Sequence, residues 1–320
     1  MIGLKKEEKT KEVETPIKGI PFWKSSKIWL SVALLGIVVI GCQQSIVQTT
    51  SLKTESLDLP FVVNYVDELG DNEVQLNWKE LVAVLGVETK NELDAIKEQQ
   101  LDDVSKLFWD GKELKSFDEA IDCLDWSKQE KRKAERYLEE LAYVGYVPQR
   151  LLPEAPETQF INRLIEPAKQ NYKESGILPS ITIAQAILES NWGNSTLTKE
   201  ANNLFGIKLG VGWKGESHQS RTLEYHDVWI EDEFRKYESW QESIDDHANF
   251  LIQNPRYQKS GVFEAKTYLA QAQALQEAGY STAQDEEGHF VYAQRLGELI
   301  RQYNLQLIDH EVYLEKQMKR

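Results

Sequence analysis

Cysteine is nearly absent from this sequence: its 320 residues contain two, Cys42 and Cys123. No C-x-x-C pair occurs, which excludes a disulfide framework, a zinc finger and a dithiol redox pair. Histidine is also sparse. The five (His218, His226, His247, His289 and His310) show no H-E-x-x-H spacing, so neither a metal nor any other cofactor is expected. No nucleophile elbow of the G-x-S-x-G type is present. Positive charge is in deficit, with 37 Lys and Arg against 52 Asp and Glu, a net charge of -15 and a pI near 5.0. So acidic a surface repels phosphate backbones, and nucleic acid is excluded as a partner. Apolar residues make up 41% of the chain, and 13 Tyr, 10 Phe and 9 Trp can fill a sizeable core. The length allows about two domains, and the composition excludes a wholly disordered chain.

Residues 1–27 are polar and contain seven lysines. The 15 residues from Ile28 to Cys42 (IWLSVALLGIVVIGC) then run without a charge. Such a run is short for a spanning helix and right for the apolar part of a signal. The preceding lysines keep residues 1–27 on the cytoplasmic side and predict export of the rest. Val39-Ile40-Gly41-Cys42 resembles a lipoprotein processing site with Cys42 as the lipidated residue. An uncleaved anchor flanked by Trp23 and Trp29 is the alternative. Residues 43–60, rich in Gln, Ser and Thr without periodicity, read as a flexible tether.

Over 61–150 the pattern is helical. Ser116-Phe-Asp-Glu119 and Ser127-Lys-Gln-Glu130 fit the capping box, in which Ser and Glu satisfy each other's orphaned amides. Asn91 is the candidate cap of a helix through Leu93, Ile96, Leu101, Val104 and Leu107. A short helix over Trp78–Val87 precedes it. This accessory region carries no histidine and no catalytic cluster.

The C-terminal region, 155–310, carries the chemistry. Ile181–Trp192 (ITIAQAILESNW) predicts a helix that is apolar nearly all round and therefore buried. Gln185 and Glu189 lie four apart on one face of it, with Trp192 three further on. Burial raises a carboxyl pKa, as a general acid near neutral pH requires; the bland alternative pairs Glu189 with Arg163 or Arg235. Small and amide residues follow in Ala201-Asn-Asn-Leu-Phe-Gly-Ile-Lys208, then a Gly-rich stretch holding Trp213. Arg221–His226 and Glu233–Tyr237 alternate and predict a β-hairpin with a link of about six residues, Glu224 on its first strand. Helices are predicted from Ser239 to the Asn254-Pro255 break, over 264–278, and over 290–303.

Taken in order, Glu189-Ser-Asn-Trp-Gly193, Ala201 to Lys208, Thr222-Leu-Glu224, Phe234-Arg-Lys-Tyr237, Ser243-Ile-Asp-Asp-His247, Ala278-Gly-Tyr-Ser-Thr282 and Tyr292-Ala resemble the motifs of the bacterial glucosaminidase-domain peptidoglycan hydrolases, glycoside hydrolase family 73. The resemblance covers about 155–305. It implies an α+β, lysozyme-like fold, mainly helical with a small β-hairpin lobe, here preceded by a helical region and an N-terminal membrane segment. It also implies hydrolysis of the β-1,4 bond between N-acetylglucosamine and N-acetylmuramic acid. Glu189 matches the family's catalytic acid, Glu224 a second carboxylate and Tyr280 a tyrosine near the acid. The sequence departs from the family after Thr282, where Ala283-Gln284-Asp285 opens a short acidic insertion.

Gln185, Trp192, Asn203, Phe205, Trp213 and Tyr237 are candidate substrate contacts, Asn203 toward an acetamido group. The expected partners are peptidoglycan glycan strands and, through the N-terminal segment, a membrane, with the catalytic domain facing the cell wall. A carboxyl separation of about 5 Å marks retention and about 6.5–9.5 Å inversion, and attack by the substrate's own N-acetyl group is a third route. A non-catalytic glycan-binding scaffold, and cleavage of another bond by a muramidase or lytic transglycosylase, stand as alternatives.

Overall fold

The computed structural model describes residues 51–224 and 228–318, with side chains except at 222–230. The leader 1–27, the apolar segment 28–42 with Cys42, and residues 43–50 lie outside the described residues. Among those described, no helix is long and apolar enough to cross a membrane.

The first half is built from α1 (Leu59–Leu69), α2 (Trp78–Glu88), α3 (Glu98–Phe108), α4 (Phe117–Asp122) and α5 (Lys128–Glu140). Both expected capping boxes form: Ser116 Oγ and Ser127 Oγ accept from the Glu119 and Glu130 amides, and each glutamate accepts from its serine amide at 2.8 Å. The apolar spacing then turns Trp78, Leu81, Leu85, Leu101 and Tyr137 into one buried cluster. Packing is close at Gly86, where a Cβ would meet Leu52 Cδ1 at 2.7 Å and Tyr137 Cδ2 at 3.0 Å.

Two expectations need correction. The tether foreseen over 43–60 is not free from Ser51 on. Leu52 is buried and its amide donates to Glu140 Oε2 at 2.6 Å. Asn91 does not cap a helix; it binds this incoming segment, accepting from Lys53 N at 2.9 Å and donating to Ser51 O at 2.8 Å. A 3-10 turn at Leu93–Ala95 follows instead, and α3 starts only at Glu98.

The second half contains α6 (Pro156–Ser175), α7 (Pro179–Ser190), α8 (Thr196–Ala201), β1 (Ser217–Glu224), β2 (Val228–Arg235), α9 (Trp240–Gln253), α10 (Pro255–Lys259), α11 (Tyr268–Glu277), α12 (Tyr292–Gln302) and α13 (Gln306–Gln317). Helix α7 is the centre. Pro179 through Ile187 are all buried, as an all-round apolar sequence demands, and α6, α11, α12 and α13 pack around it. The hairpin is longer than expected. Its antiparallel register runs from Ser217 opposite Arg235 to Glu224 opposite Val228, so the second strand begins five residues before Glu233 and the link shortens to 225–227. Glu231 and Asp232, read as loop, are accommodated because an exposed two-stranded ribbon leaves Glu231 exposed and lets Asp232 pair with Lys208 at 2.8 Å.

Helix α13, not foreseen, joins the two halves. Leu305 and Ile308 belong to the second core, Leu307 and Leu314 pack on the first, and Tyr313 touches both. A buried polar seam runs beside it. Trp78 Nε1 donates to Asn304 Oδ1 at 3.3 Å, and Tyr268 donates to Asp67. His310 lies 3.0 Å from Gln75 O and 3.5 Å from Glu80 Oε1. Burial raises the Asp67 carboxyl to about 6 against the opposing bonds from Tyr268 and Gln75.

Truncating Ile183, fully buried on α7, leaves a cavity that the crowded helix cannot close. Ile183→Ala should cost about 2–5 kcal/mol, read as a lower urea midpoint with an unchanged m-value.

Candidate active site

Helix α7 ends in an unusual turn. Asn191, Trp192 and Gly193 have φ of 50°, 61° and 72° in succession. For a residue as bulky as tryptophan this is costly and persists only where the surroundings over-determine it. Here they do. Ser190 Oγ donates to Ala186 O and accepts from Gly193 N at 2.7 Å. Trp192 N donates to Ile187 O at 3.2 Å, and the Trp192 ring is held edge-on by Phe160 at 5.8 Å and Tyr303 at 4.8 Å. Gly193 admits no side chain, since a Cβ would meet Phe160 at 2.9 Å. Glu189 therefore sits on the last turn of a rigid helix, immediately before a locked reversal.

The Glu189 carboxyl is reachable by solvent, yet protein atoms crowd most of its surroundings, and this desolvation raises its pKa from the usual 4.5. The opposing influence is the Tyr292 hydroxyl, 3.4 Å from Glu189 Oε1. Neither arginine considered from the sequence engages it. Arg163 lies over the Trp240 ring at 3.6 Å, and Arg235 Nη1 donates to both oxygens of Asp246 at 2.9 and 2.7 Å.

Tyr292 is the residue the sequence did not single out as a site residue. Gln185 Nε2 donates to its hydroxyl at 2.9 Å, so Gln185 and Glu189, one turn apart, converge on it. Tyr280 stacks on Tyr292 with centroids 5.2 Å apart, and its hydroxyl lies 3.1 Å from His247 Nε2. His247 stacks in turn on Phe205 at 3.9 Å. Burial pushes this imidazole down to about 3, so it is neutral at physiological pH. Burial likewise raises both tyrosines, with the Tyr292 and Glu189 charges adding to it at Tyr280.

The remaining candidates divide. Gln185 is fully buried and braces Tyr292 rather than facing a ligand. Asn203 needs correction: its amide donates to Ile207 O and Arg235 O and accepts from the Phe205 and Ile207 amides. With every group committed, it ties the loop to β2 and has nothing left for an acetamido group. Phe205 is buried and backs His247. Trp213 and Tyr237 lie elsewhere, in T-shaped contact at 5.7 Å beside a cavity of about 750 Å³ that Asn202, Glu242, Asp245 and Asn249 also line. That cavity opens on a face of α9 other than the one carrying His247, and Glu189 is not in its wall. Glu224 is the last residue of β1; its side chain lies outside the described residues. Of the other histidines, His218 pairs with Glu200 at 3.1 Å and His289 with Asp285 at 3.3 Å, while His226 lies outside the described residues.

Residues 165–305 match the family model Glucosaminidase, described as mannosyl-glycoprotein endo-beta-N-acetylglucosaminidase. These residues form a glucosaminidase-family domain. It contains Glu189, Glu224, Tyr280 and Tyr292. The exo-glucosaminidase LytG of Bacillus subtilis is 40% identical over 156 residues, 47% of this chain and 52% of that protein. The peptidoglycan hydrolase FlgJ of Escherichia coli K12 is 36% identical over 150 residues, 45% of each. The chain spans about half the length of these curated relatives. A C-terminally truncated glycoside hydrolase domain from Salmonella typhimurium FlgJ is 35% identical, covers 46% of this chain and 97% of its own, and superposes with a TM-score of 0.39.

Removing the Tyr292 hydroxyl leaves burial unopposed at Glu189. Tyr292→Phe should raise the Glu189 pKa further, since a hydrogen bond to the charged form favours it. Carbon-13 carboxyl NMR titration of both proteins measures it.

Proposed function

We propose that this protein hydrolyses the β-1,4 bond between N-acetylglucosamine and N-acetylmuramic acid in peptidoglycan, with Glu189 as the acid. One observation carries this: a crowded carboxyl with a raised pKa at the end of a buried helix, answered by a tyrosine hydroxyl and by no guanidinium among its described contacts. The glucosaminidase-family domain and the names borne by the relatives support the same reading.

Glu189 donates its proton to the glycosidic oxygen as the bond to the anomeric carbon breaks, and the leaving sugar departs as a neutral alcohol. The carboxylate left behind accepts the Tyr292 hydrogen bond, which lowers the cost of a negative charge in that crowded place. Gln185 keeps the Tyr292 hydroxyl aimed, and Tyr280 stacks behind it on a ring system that ends at neutral His247. Glu224, or the substrate's acetamido oxygen, stabilises the cationic anomeric carbon. Water then adds there, returning its proton to Glu189. Trp192 lies beside the acid, whereas Trp213 and Tyr237 serve glycan units further along the strand.

The lysozyme-like arrangement of a helical body with a hairpin lobe belongs to this reading, as do the division into accessory and catalytic regions and the tethering of the enzyme to the membrane, facing the wall, through residues 28–42.

Glu189→Gln keeps the shape and removes the proton. It should lower the rate about 10²–10⁴-fold and abolish clearing of cell-wall material in a zymogram. Wild-type products should end in reducing N-acetylglucosamine by mass spectrometry. Reducing N-acetylmuramic acid would mean a muramidase, its 1,6-anhydro form a lytic transglycosylase, and no cleavage by the folded wild type a binding scaffold.

A further inference from the structure

Helix α7 carries Glu189 at one end, and its other end is capped from outside the matched family domain. Leu178, at its N-cap, gives no side-chain cap. The first amides of a helix need partners, and a buried end without them is costly. Asp309 provides one from α13, 129 residues away in sequence. Its Oδ1 accepts from Ser180 N at 2.9 Å and its Oδ2 accepts from Ser180 Oγ at 2.5 Å. Both residues are fully buried. Burial raises the Asp309 carboxyl to about 7 against these two bonds, and its ionised form also faces the positive pole of the helix.

Asp309 lies beyond residue 305, where the family match stops. Its helix is in turn held by the accessory region. Next to Asp309, His310 Nδ1 meets Gln75 O at 3.0 Å and His310 Nε2 meets Glu80 Oε1 at 3.5 Å. At the far end, Leu114 N donates to Gln317 Oε1 at 3.0 Å. Through His310 and Gln317, α13 thus connects residues 75–114 to the start of the helix whose end presents the acid.

We propose that Asp309 is a positioning residue for Glu189, and that residues 51–150 act through α13 to set the catalytic helix in place. This rests on Glu189 as the acid. Ser180 and Glu189 are nine residues apart, about 14 Å along a helix, too far for Asp309 to touch substrate. A straight buried rod passes a displacement at one end to the other. A shift of about 1 Å at a reacting group costs as much as about a hundredfold in rate, so the loss of one anchor among several should cost about tenfold.

The test uses the full chain and a soluble glycan substrate, with kcat and KM measured at a temperature where circular dichroism shows each variant folded. Asp309→Ala should lower kcat about tenfold and leave KM within about twofold, since the surface that binds glycan is untouched. Asp309→Asn keeps an acceptor for Ser180 N and should recover most of the loss. Ser180→Ala, which removes only the hydroxyl contact, should lower kcat about threefold and add little to Asp309→Ala. His310→Phe should lower kcat in the same sense. A folded Asp309→Ala protein with wild-type kcat overturns the proposal, as does an Asn variant no better than Ala. If Asp309→Ala does not fold, wild-type kcat in Ser180→Ala overturns it. Glu189→Gln runs alongside: activity there would sink the functional reading, whereas an inactive Glu189→Gln beside an unimpaired Asp309→Ala sinks only this inference.

Discussion

One constraint organises the structure: a carboxyl group must be crowded by protein atoms while its residue stays exposed. Placed mid-helix in α7, Glu189 would be enclosed, with only a tyrosine to offset its desolvation. One turn later, at Gly193, no side chain fits against Phe160. Glu189 occupies the last turn of a helix otherwise buried from Pro179 to Ile187, just before a reversal that only local over-determination sustains. The helix supplies rigidity, the strained turn supplies the opening, and Tyr292 supplies a hydrogen bond that grows in value once the proton has left. None of the three would serve without the others.

Around that constraint, polar groups are buried for positioning more than for ligand contact. Gln185, Asn203 and His247 are enclosed, and each bonds another part of the protein, although Gln185 Oε1 is left without a partner among the described residues. Polar groups also meet at the seam between the two cores, where Asp67 accepts from Gln75 and His310 approaches Glu80, with Gln75 Oε1, Glu80 Oε2 and His310 Nε2 left without hydrogen-bond partners among the described residues. Buried polar groups cost stability unless they are paired, and when paired they hold elements in one register. The accessory region is thus joined to the catalytic half through directional contacts that fix an alignment, not through apolar packing alone.

Much of this was legible in the residues. The all-round apolar pattern gave a buried helix, and the spacing of Gln185 and Glu189 gave a shared face. Ser116, Ser127 and the Asn254-Pro255 break set helix ends that the structure keeps. Motif order marked the family domain. Other features were illegible for definite reasons. Tyr292 stood in a motif, but a tyrosine at a helix start has no charge or period to separate it from core. Asn203 looked like a ligand residue because an amide in a turn has the same sequence signature whether it braces its own loop or binds sugar. The strand at Val228 was missed because Glu231 and Asp232 read as loop, although an exposed ribbon tolerates them. Asp309 pairs with Ser180 across 129 residues, and no local pattern encodes a contact that distant. Its helix was foreseeable, since Leu305, Ile308 and Val312 repeat at helical spacing.

The most direct test of the central claim is the pH dependence of kcat/KM for the release of reducing ends from glycan. A carboxyl that must be protonated to act, and whose pKa is raised in the folded protein, loses activity as pH climbs through that raised value. The expected result is a falling alkaline limb whose midpoint lies above the ordinary glutamate value of 4.5. A limb at or below that value, or a rate indifferent to pH across it, would contradict a crowded catalytic acid at Glu189.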